Sequence, residues 1–331
     1  MGSDGKTCLI LMATYNGEEY ISEQLESIRN QTHSNWKLLI RDDNSSDKTI
    51  DIIKKYQKID GRISLVKNND GEHGAFVNFH ELIILAKKMQ SFDYYALSDQ
   101  DDVWNEDKLE KLIVFLESKN KMPLLVYSDF SIINETGSLV LKSMNKKINL
   151  NFGNPINVFF SHEYMWGCTC MFNYLLLRRL PEISSEKVRK RNAFIHDGNL
   201  LKFAVIYGQA FFFDEALVNY RRHSSNASGD QQFKNGFGNA VRKVFMGYTS
   251  LCKTRAIVLS QTLTTLDLSL ESKCAVLDVI EMKRKILKGS IFLTIYMLKK
   301  RVKRNHFFKT CALYATCFFN GYQKYLFDFK K

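Results

Sequence analysis

The chain has 331 residues, 45% of them hydrophobic and 25% charged, and a formal net charge of +12. That length and apolar share can build a real core, either as one large domain or as a domain with an appendage. Its seven cysteines are odd in number, scattered and without a C-x-x-C pair, which excludes a disulfide framework or zinc site and fits reduced thiols of the cytosol.

The opening stretch MGSDGKT is polar and lacks the basic-then-apolar layout of a signal peptide, so a cytoplasmic protein is expected. TCLILMA then reads as a short buried strand, followed by a helix over 18–30 with Ile21, Leu25 and Ile28 at helical spacing. Between them, ATYNGEEY lacks both G-x-G-x-x-G and G-K-[ST], which disfavours a nicotinamide enzyme or an ATPase. A second strand, WKLLI, leads through RDDNSSDKT to a helix carrying Ile50, Ile53 and Tyr56. RISLV precedes a helix over 75–88, and YYAL precedes SDQDDVW and a helix over 106–118. This β-α alternation with short links predicts an α/β fold with a mostly parallel sheet flanked by helices. Ligands of such sheets bind outside the carboxyl ends of the strands, so function is expected in the three polar loops that follow the strands.

Two of these loops carry paired carboxylates. In RDDNSSDKT, either Asp42 and Asp43 only build an Asx-turn with Asn44 and Ser45, or one of them accepts a hydrogen bond from the ring N–H of uracil or thymine. In SDQDDVW, Asp99, Asp101 and Asp102 crowd at a strand end, where they repel unless something positive lies between them. A D-x-D there can direct carboxylates at Mg2+ or Mn2+ and at diphosphate oxygens; the alternative is a capped turn. Calcium in an EF-hand is excluded, because a loop starting at Asp99 puts Trp104 where the sixth-position glycine belongs.

From LLVYSDFSII onward the pattern is irregular. INETGSLV predicts a hairpin, and Cys168 and Cys170 in MWGCTCMF share one face of a strand as buried thiols. Asp197 opens a helix in HDGNLLKFAVIYG, as an N-cap or as a general base for an acceptor hydroxyl. Two short strands, AFFF and ALVNY, lead to Arg221, Arg222 and His223, which form either a basic surface turn or a clamp on a diphosphate, with His223 also open to a metal contact. Residues 224–238 read as a linker.

Taken together, ATYNGEEYI, RDDNSSDKT, SDQDDVW, HDGNLL and YRRHSSN resemble the inverting family 2 glycosyltransferases of the GT-A fold. Within that family they look like bacterial rhamnosyltransferases of cell-wall and capsular polysaccharides. The resemblance covers roughly residues 6–228 and divides the chain into a catalytic domain, 1–225, and a basic helical region, 226–331. It implies that Ala13 and Tyr15 border the nucleotide base and that Asp43 reads it. Asp99 and Asp101 are then the D-x-D, with Asp101 the direct metal ligand, Gln100 is in the donor-binding set, and Asp197 is the catalytic base. Arg221 and His223 fall at the donor-side closing motif, while Gly74 and Asn78 match a helix start beside the donor. Implied with them are Mn2+ or Mg2+, a dTDP- or UDP-sugar donor, dTDP-rhamnose before UDP-hexoses, and a lipid-linked glycan acceptor. The pattern usually has an aromatic residue after the H-D pair where this chain has Gly198, which bears on sugar identity more than on chemistry.

Charge is unevenly placed. Residues 226–331 hold 19 Lys/Arg and 6 Asp/Glu, a net of +13, whereas residues 1–225 hold 28 and 29. Basic clusters alternating with an apolar middle in KRKILKGSIFLTIYMLKKRVKRNHFF suit an interfacial helix on an anionic membrane, which places the protein on the inner face of the cell membrane. The alternative is packing on the catalytic domain or on a second subunit. The apolar segment CALYATCFFNGY is shorter than the ~18 residues of a membrane span. A sugar-phosphate nucleotidyltransferase ranks lower for want of a glycine- and basic-rich triphosphate loop. A nucleic-acid-binding protein ranks last, since no dedicated nucleic-acid fold is legible.

Overall fold

The computed structural model describes residues 5–69, 71, 73–89, 91–160, 164–180, 196–224, 226, 281, 285, 290–304, 307, 310–311 and 313–314. Strand β1 (Cys8–Thr14) is almost wholly buried because it lies between two parallel partners, β2 (Trp36–Asp42) and β4 (Tyr94–Ser98), with Cys8 opposite both Trp36 and Tyr94. A strand covered on both faces reads as a continuous apolar run, and CLILMA does. β3 (Ile63–Lys67) extends the parallel set beyond β2. The connecting helices are α1 (Ile21–Arg29), α2 (Thr49–Ile59) and α3 (Ala75–Lys88). Ile21, Leu25 and Ile28 of α1 and Ile53 of α2 are buried, as their spacing predicts.

The second half departs from the expected parallel sheet. Its strands are β5 (Val103–Trp104), β6 (Leu124–Ile133), β7 (Leu139–Leu141), β8 (Cys170–Asn173) and β9 (Gln209–Arg221), and the order across the sheet is β3-β2-β1-β4-β8-β6-β9-β5 with β7 on β6. β8 runs antiparallel to both β4 and β6, β9 is parallel to β6, and β5 is antiparallel to β9. The sheet is therefore mixed: β3-β2-β1-β4 form an all-parallel set, and beyond it only the β6-β9 pair is parallel. Strands of two to four residues are too short to carry a legible period.

AFFF and ALVNY are one strand, not two. While β9 advances from Phe213 to Ala216, its partner advances only from Ser128 to Asp129, so Asp214 and Glu215 bulge out and break the apolar pattern. The hairpin INETGSLV forms as expected. Asn134 Oδ1 accepts from the N–H groups of Thr136 and Ser138 at 3.1 and 2.8 Å, and Gly137 takes the left-handed position at φ 82°.

The helices that follow are α4 (Lys108–Glu117), α5 (Asn145–Ile148), α6 (Tyr174–Leu177), α7 (His196–Tyr207) and, beyond the 224–238 linker, α8 (Ser290–Lys299). Most of that linker and of region 226–331 lies outside the described residues. α8 buries Leu293, Tyr296 and Met297, and the chain after it is tied to the preceding fold, where Asn157 Oδ1 accepts from Lys303 N at 2.8 Å. No helix among the described residues is long and apolar enough to cross a membrane. Cys8, Cys168 and Cys170 are buried free thiols and Cys311 is an exposed one; Cys252, Cys274 and Cys317 lie outside the described residues.

One pairing positions the site. Val103 and Trp104 lie opposite Asn219 and Val218, which brings the aspartate loop after β4 against the end of β9, where Arg221 and His223 follow.

Candidate active site

The loops after β1 and β2 are stitched together. Thr14 Oγ1 donates to Asp42 Oδ2 at 2.9 Å, and Asp42 also accepts from Ser45 N at 2.8 Å, so Asp42 is the turn-building carboxylate. Asn16 N donates to Ser45 Oγ, and Gly17 N to Thr49 Oγ1 at 2.7 Å. Asp43 is a different case. Its Oδ1 accepts from Asn68 Nδ2 at 2.7 Å and lies 3.1 Å from His73 Nδ1, while its Oδ2 accepts from Gly74 N at 2.8 Å. Three groups thus fix one carboxylate, still short of its lone-pair capacity. Gly74, at φ 115°, is the N-cap of α3. Asn78 is buried and turned to the scaffold, accepting from Arg41 Nη1 and donating to Arg41 O, both at 2.9 Å. Ala13 is partly buried and Tyr15 is 56% exposed at the mouth of this loop.

The loop after β4 is braced from α1. In the orientation that satisfies all its partners, the buried Gln24 carboxamide donates to Asp102 O at 2.7 Å and accepts from Ser98 Oγ at 2.8 Å and Trp104 Nε1 at 3.2 Å. Within the loop, Asp99, Asp102 and Cys168 gather their ligand atoms within 4.8 Å of one another. Asp102 is fully buried; its Oδ1 accepts from Arg221 N at 3.1 Å and its Oδ2 has no protein partner. Burial, with the Asp101 and Asp197 charges, pushes the Asp99 carboxyl up to about 7, and burial raises Asp102 as well. An orphaned buried oxygen among crowded carboxylates fits an oxygen-seeking divalent cation, which would relieve their repulsion.

Asp101 takes another direction. Its Oδ2 lies 2.8 Å from His223 Nε2, and the His223 ring sits 4.8 Å from that of Tyr20. The structure therefore joins Asp101 to His223 and Asp99 to Asp102 and Cys168. Asp102, outside the expected D-x-D, is part of the cluster, and Cys168, expected to be only a buried thiol, lies beside it.

Arg221 does not present its donors to a ligand in this structure. It is fully buried; Nε donates to Asp101 O and Nη1 to Glu135 O, both at 3.0 Å, Nη2 pairs with Glu23, and the guanidinium lies 4.7 Å over the Tyr20 ring. It braces the aspartate loop instead of forming the expected diphosphate clamp. Gln100 is likewise committed: its Oε1 accepts from Tyr15 N at 2.8 Å and its Nε2 donates to Tyr15 O at 2.9 Å. Asp197 lies in the first turn of α7, not before it, and its Oδ1 accepts from Gly198 N at 2.6 Å. Its charge reaches both Asp99 and Cys170, so α7 brings it to the same end of the sheet.

Sequence reasoning missed several supports: Gln24, Glu23 and Tyr20 on or before α1, Asn68 and His73 around Asp43, and Lys108. Lys108 is fully buried, donates to Cys168 O at 2.6 Å and lies 3.2 Å over the Trp104 ring; burial pulls it down to about 7. A lysine at a helix start gives no sequence signal of burial. The i, i+3, i+4 spacing of Tyr20, Glu23 and Gln24 could have flagged one face of α1.

The model of the Glycosyl transferase family 2 matches residues 9–175, just over half of the chain. The chain belongs to this family. The match takes in Asp43, Asp99 and Asp101, while Asp197, Arg221 and His223 lie beyond it. This family 2 glycosyltransferase is 29% identical over 223 residues to the dTDP-rhamnosyl transferase RfbG of Shigella flexneri, covering 66% of this chain and 73% of that one. It is 34% identical over 142 residues to the UDP-Glc:alpha-D-GlcNAc-diphosphoundecaprenol beta-1,3-glucosyltransferase WfgD of Escherichia coli, covering 43% and 53%. In fold it is similar to the mannosyltransferase PcManGT of Pyrobaculum calidifontis, solved with GDP-Man and Mn2+; the TM-score is 0.52 at 14% identity, over 98% of this chain and 86% of that one. The expected GT-A architecture is the one observed, and divalent cations are in common use among glycosyltransferases of this fold.

Proposed function

We propose that this glycosyltransferase is metal-dependent and inverting, and moves L-rhamnose from dTDP-rhamnose onto a lipid-linked glycan in cell-wall or capsular polysaccharide synthesis. The observation that supports the reading is that Asp43 after β2, Asp99 and Asp101 after β4, Asp197 on α7 and His223 after β9, from four separate elements, lie toward one end of the sheet. Asp43, held by Asn68, His73 and Gly74, accepts from the ring N–H of the base, with Ala13 and Tyr15 at its border. Asp99 and Asp101, with His223 in reach, would hold Mn2+ or Mg2+, which when bound would supply positive charge to offset that of the diphosphate leaving group. Asp197 takes the acceptor hydroxyl proton as that oxygen attacks the anomeric carbon and the bond to the diphosphate oxygen breaks. The anomeric centre inverts in one displacement, and no covalent sugar intermediate forms.

A UDP-hexose donor is the second reading, favoured by the Escherichia coli relative that uses UDP-Glc. A donor panel of dTDP-rhamnose, UDP-glucose, UDP-galactose and UDP-N-acetylglucosamine with a lipid-linked acceptor, with and without Mn2+ or Mg2+, decides between them. Turnover of none of these donors, together with wild-type behaviour of Asp101→Asn and Asp197→Asn, defeats both.

The acceptor gives membrane contact a purpose at the cytoplasmic face. α8 supports it with an exposed apolar stripe, Ile291, Phe292, Ile295 and Leu298, followed by Lys299, Lys300, Arg301 and Lys303. Liposome flotation is the test: anionic vesicles bind the protein and neutral ones bind it less, whereas equal, negligible binding leaves packing on the domain or on a second copy.

A further inference from the structure

The Gln100 carboxamide meets the Tyr15 peptide as a neighbouring strand would, accepting from its N–H at 2.8 Å and donating to its carbonyl at 2.9 Å. These two bonds join loops 85 positions apart in the sequence, one carrying Tyr15 after β1 and the other carrying Asp99 and Asp101 after β4. A second observation is steric. A Cβ placed on Gly17 would fall 2.5 Å from the Gln100 carboxamide, so the chain turns at Gly17 with the amide occupying the space a side chain would fill. Both amide atoms of Gln100 are engaged by backbone, and the loop they hold is itself fixed to the Asp43 side through Asn16 N on Ser45 Oγ at 2.9 Å and Gly17 N on Thr49 Oγ1 at 2.7 Å.

We infer that Gln100 is a positioning residue, a clasp through which the aspartate loop and the Tyr15 loop order one another, so that divalent cation at the former and nucleoside at the latter bind cooperatively. The inference rests on the glycosyltransferase reading of these two loops. A cation that draws Asp99 and Asp101 together also narrows the positions open to Gln100, and Tyr15 and Gly17 follow it through the two amide bonds. The coupling is reciprocal: nucleoside bound against Tyr15 favours the cation by the same factor. It is separate from the coupling that a diphosphate supplies by touching the cation directly, and a ligand without phosphates isolates it.

The experiment uses the full chain with thymidine and with uridine, whose binding is followed by ligand-observed NMR at zero and saturating Mg2+, and with dTDP and UDP plus Mg2+ as controls. In the wild type, Mg2+ tightens binding of the preferred nucleoside by about fivefold, the lower end of ordinary coupling between sites. In Gln100→Ala the ratio falls to about one, while UDP with Mg2+ still binds and the thermal melt stays cooperative. Gly17→Ala, which leaves Gln100 in place and crowds its amide, lowers the ratio in the same way and keeps the test open if the first variant misfolds. A ratio near one in the wild type, or a wild-type ratio in both variants, overturns the clasp while leaving the glycosyltransferase reading intact. Failure of the wild type to bind either dTDP or UDP with Mg2+ overturns both.

Discussion

His223 Nε2 lies 2.8 Å from Asp101 Oδ2, joining the end of β9 to the aspartate loop across 122 positions of sequence. Tyr20 packs on the His223 ring, and Asn226 Nδ2 adds a longer bond to the same carboxylate at 3.4 Å. Asp101 is thus aimed by its partner before any cation arrives. Asp101→Asn and His223→Ala each lower kcat/KM by about 10²-fold and raise the Mn2+ concentration needed for half-maximal rate. The double variant loses little more than the worse single one, because the two side chains act as a unit. A double-mutant cycle on kcat/KM checks this; full additivity would mean that the pair has no joint role.

Asp197→Asn separates chemistry from binding. The amide keeps the size of the carboxylate but cannot take a proton, so kcat falls by about 10²- to 10⁴-fold. Nucleotide affinity, measured by calorimetry with UDP or dTDP and Mn2+, stays at the wild-type value, since in the proposed mechanism the carboxylate meets the acceptor and not the nucleotide. A matching loss of nucleotide affinity would return Asp197 to a structural role in α7.

The legible parts of this molecule are those where one local signal matches one environment. The buried runs CLILMA and YYALS and the apolar stripe of α1 announce themselves because their surroundings are uniform. Carboxylates after strand ends mark the site for the same reason. Their division of labour is not legible, because Asp99, Asp101 and Asp102 differ only in direction: Asp99 gathers with Asp102 and Cys168, Asp101 meets His223, and Asp102 is fully buried against Arg221 N. Arg221 shows the other limit. A basic residue after a strand looks like a surface clamp, yet β5 and β9 pair beside it and bury it, and a two-residue strand leaves no trace in the pattern.

Arg221 is expected to matter for stability as much as for activity. It carries four side-chain bonds into three segments, so Arg221→Met takes the donors away from Asp101 O and Glu135 O. Stranded buried acceptors cost ~1–3 kcal/mol each, partly offset here because Glu23 is exposed and can rehydrate. Arg221→Lys does not restore the wild type, because an ammonium cannot reproduce the planar fork. Urea denaturation followed by circular dichroism reads both: the midpoint falls in each variant, and an unchanged midpoint in Arg221→Met would remove the bracing role.

The aspartate cluster also sets a pH dependence with a definite sign. Asp99 ionises near its ordinary value of 3.8 in the unfolded chain and at about 7 in the folded one, through burial and the charges of Asp101 and Asp197. Between those values the native state holds a proton that the unfolded state has released, so this group takes stability away as pH rises through the window. A bound divalent cation favours the carboxylate form and opposes the loss. Melting temperatures from pH 5 to 8 therefore gain more from Mn2+ at the upper end than at the lower, and Asp99→Asn flattens that trend because an amide has no proton to give up. Asp60 runs the other way: its bonds from Arg62 at 3.0 and 2.7 Å hold it below the usual carboxylate range, so its contribution is lost only as pH falls into that lower range. The two windows do not overlap above pH 5. An Mn2+ gain independent of pH in the wild type would mean that Asp99 does not face the cation.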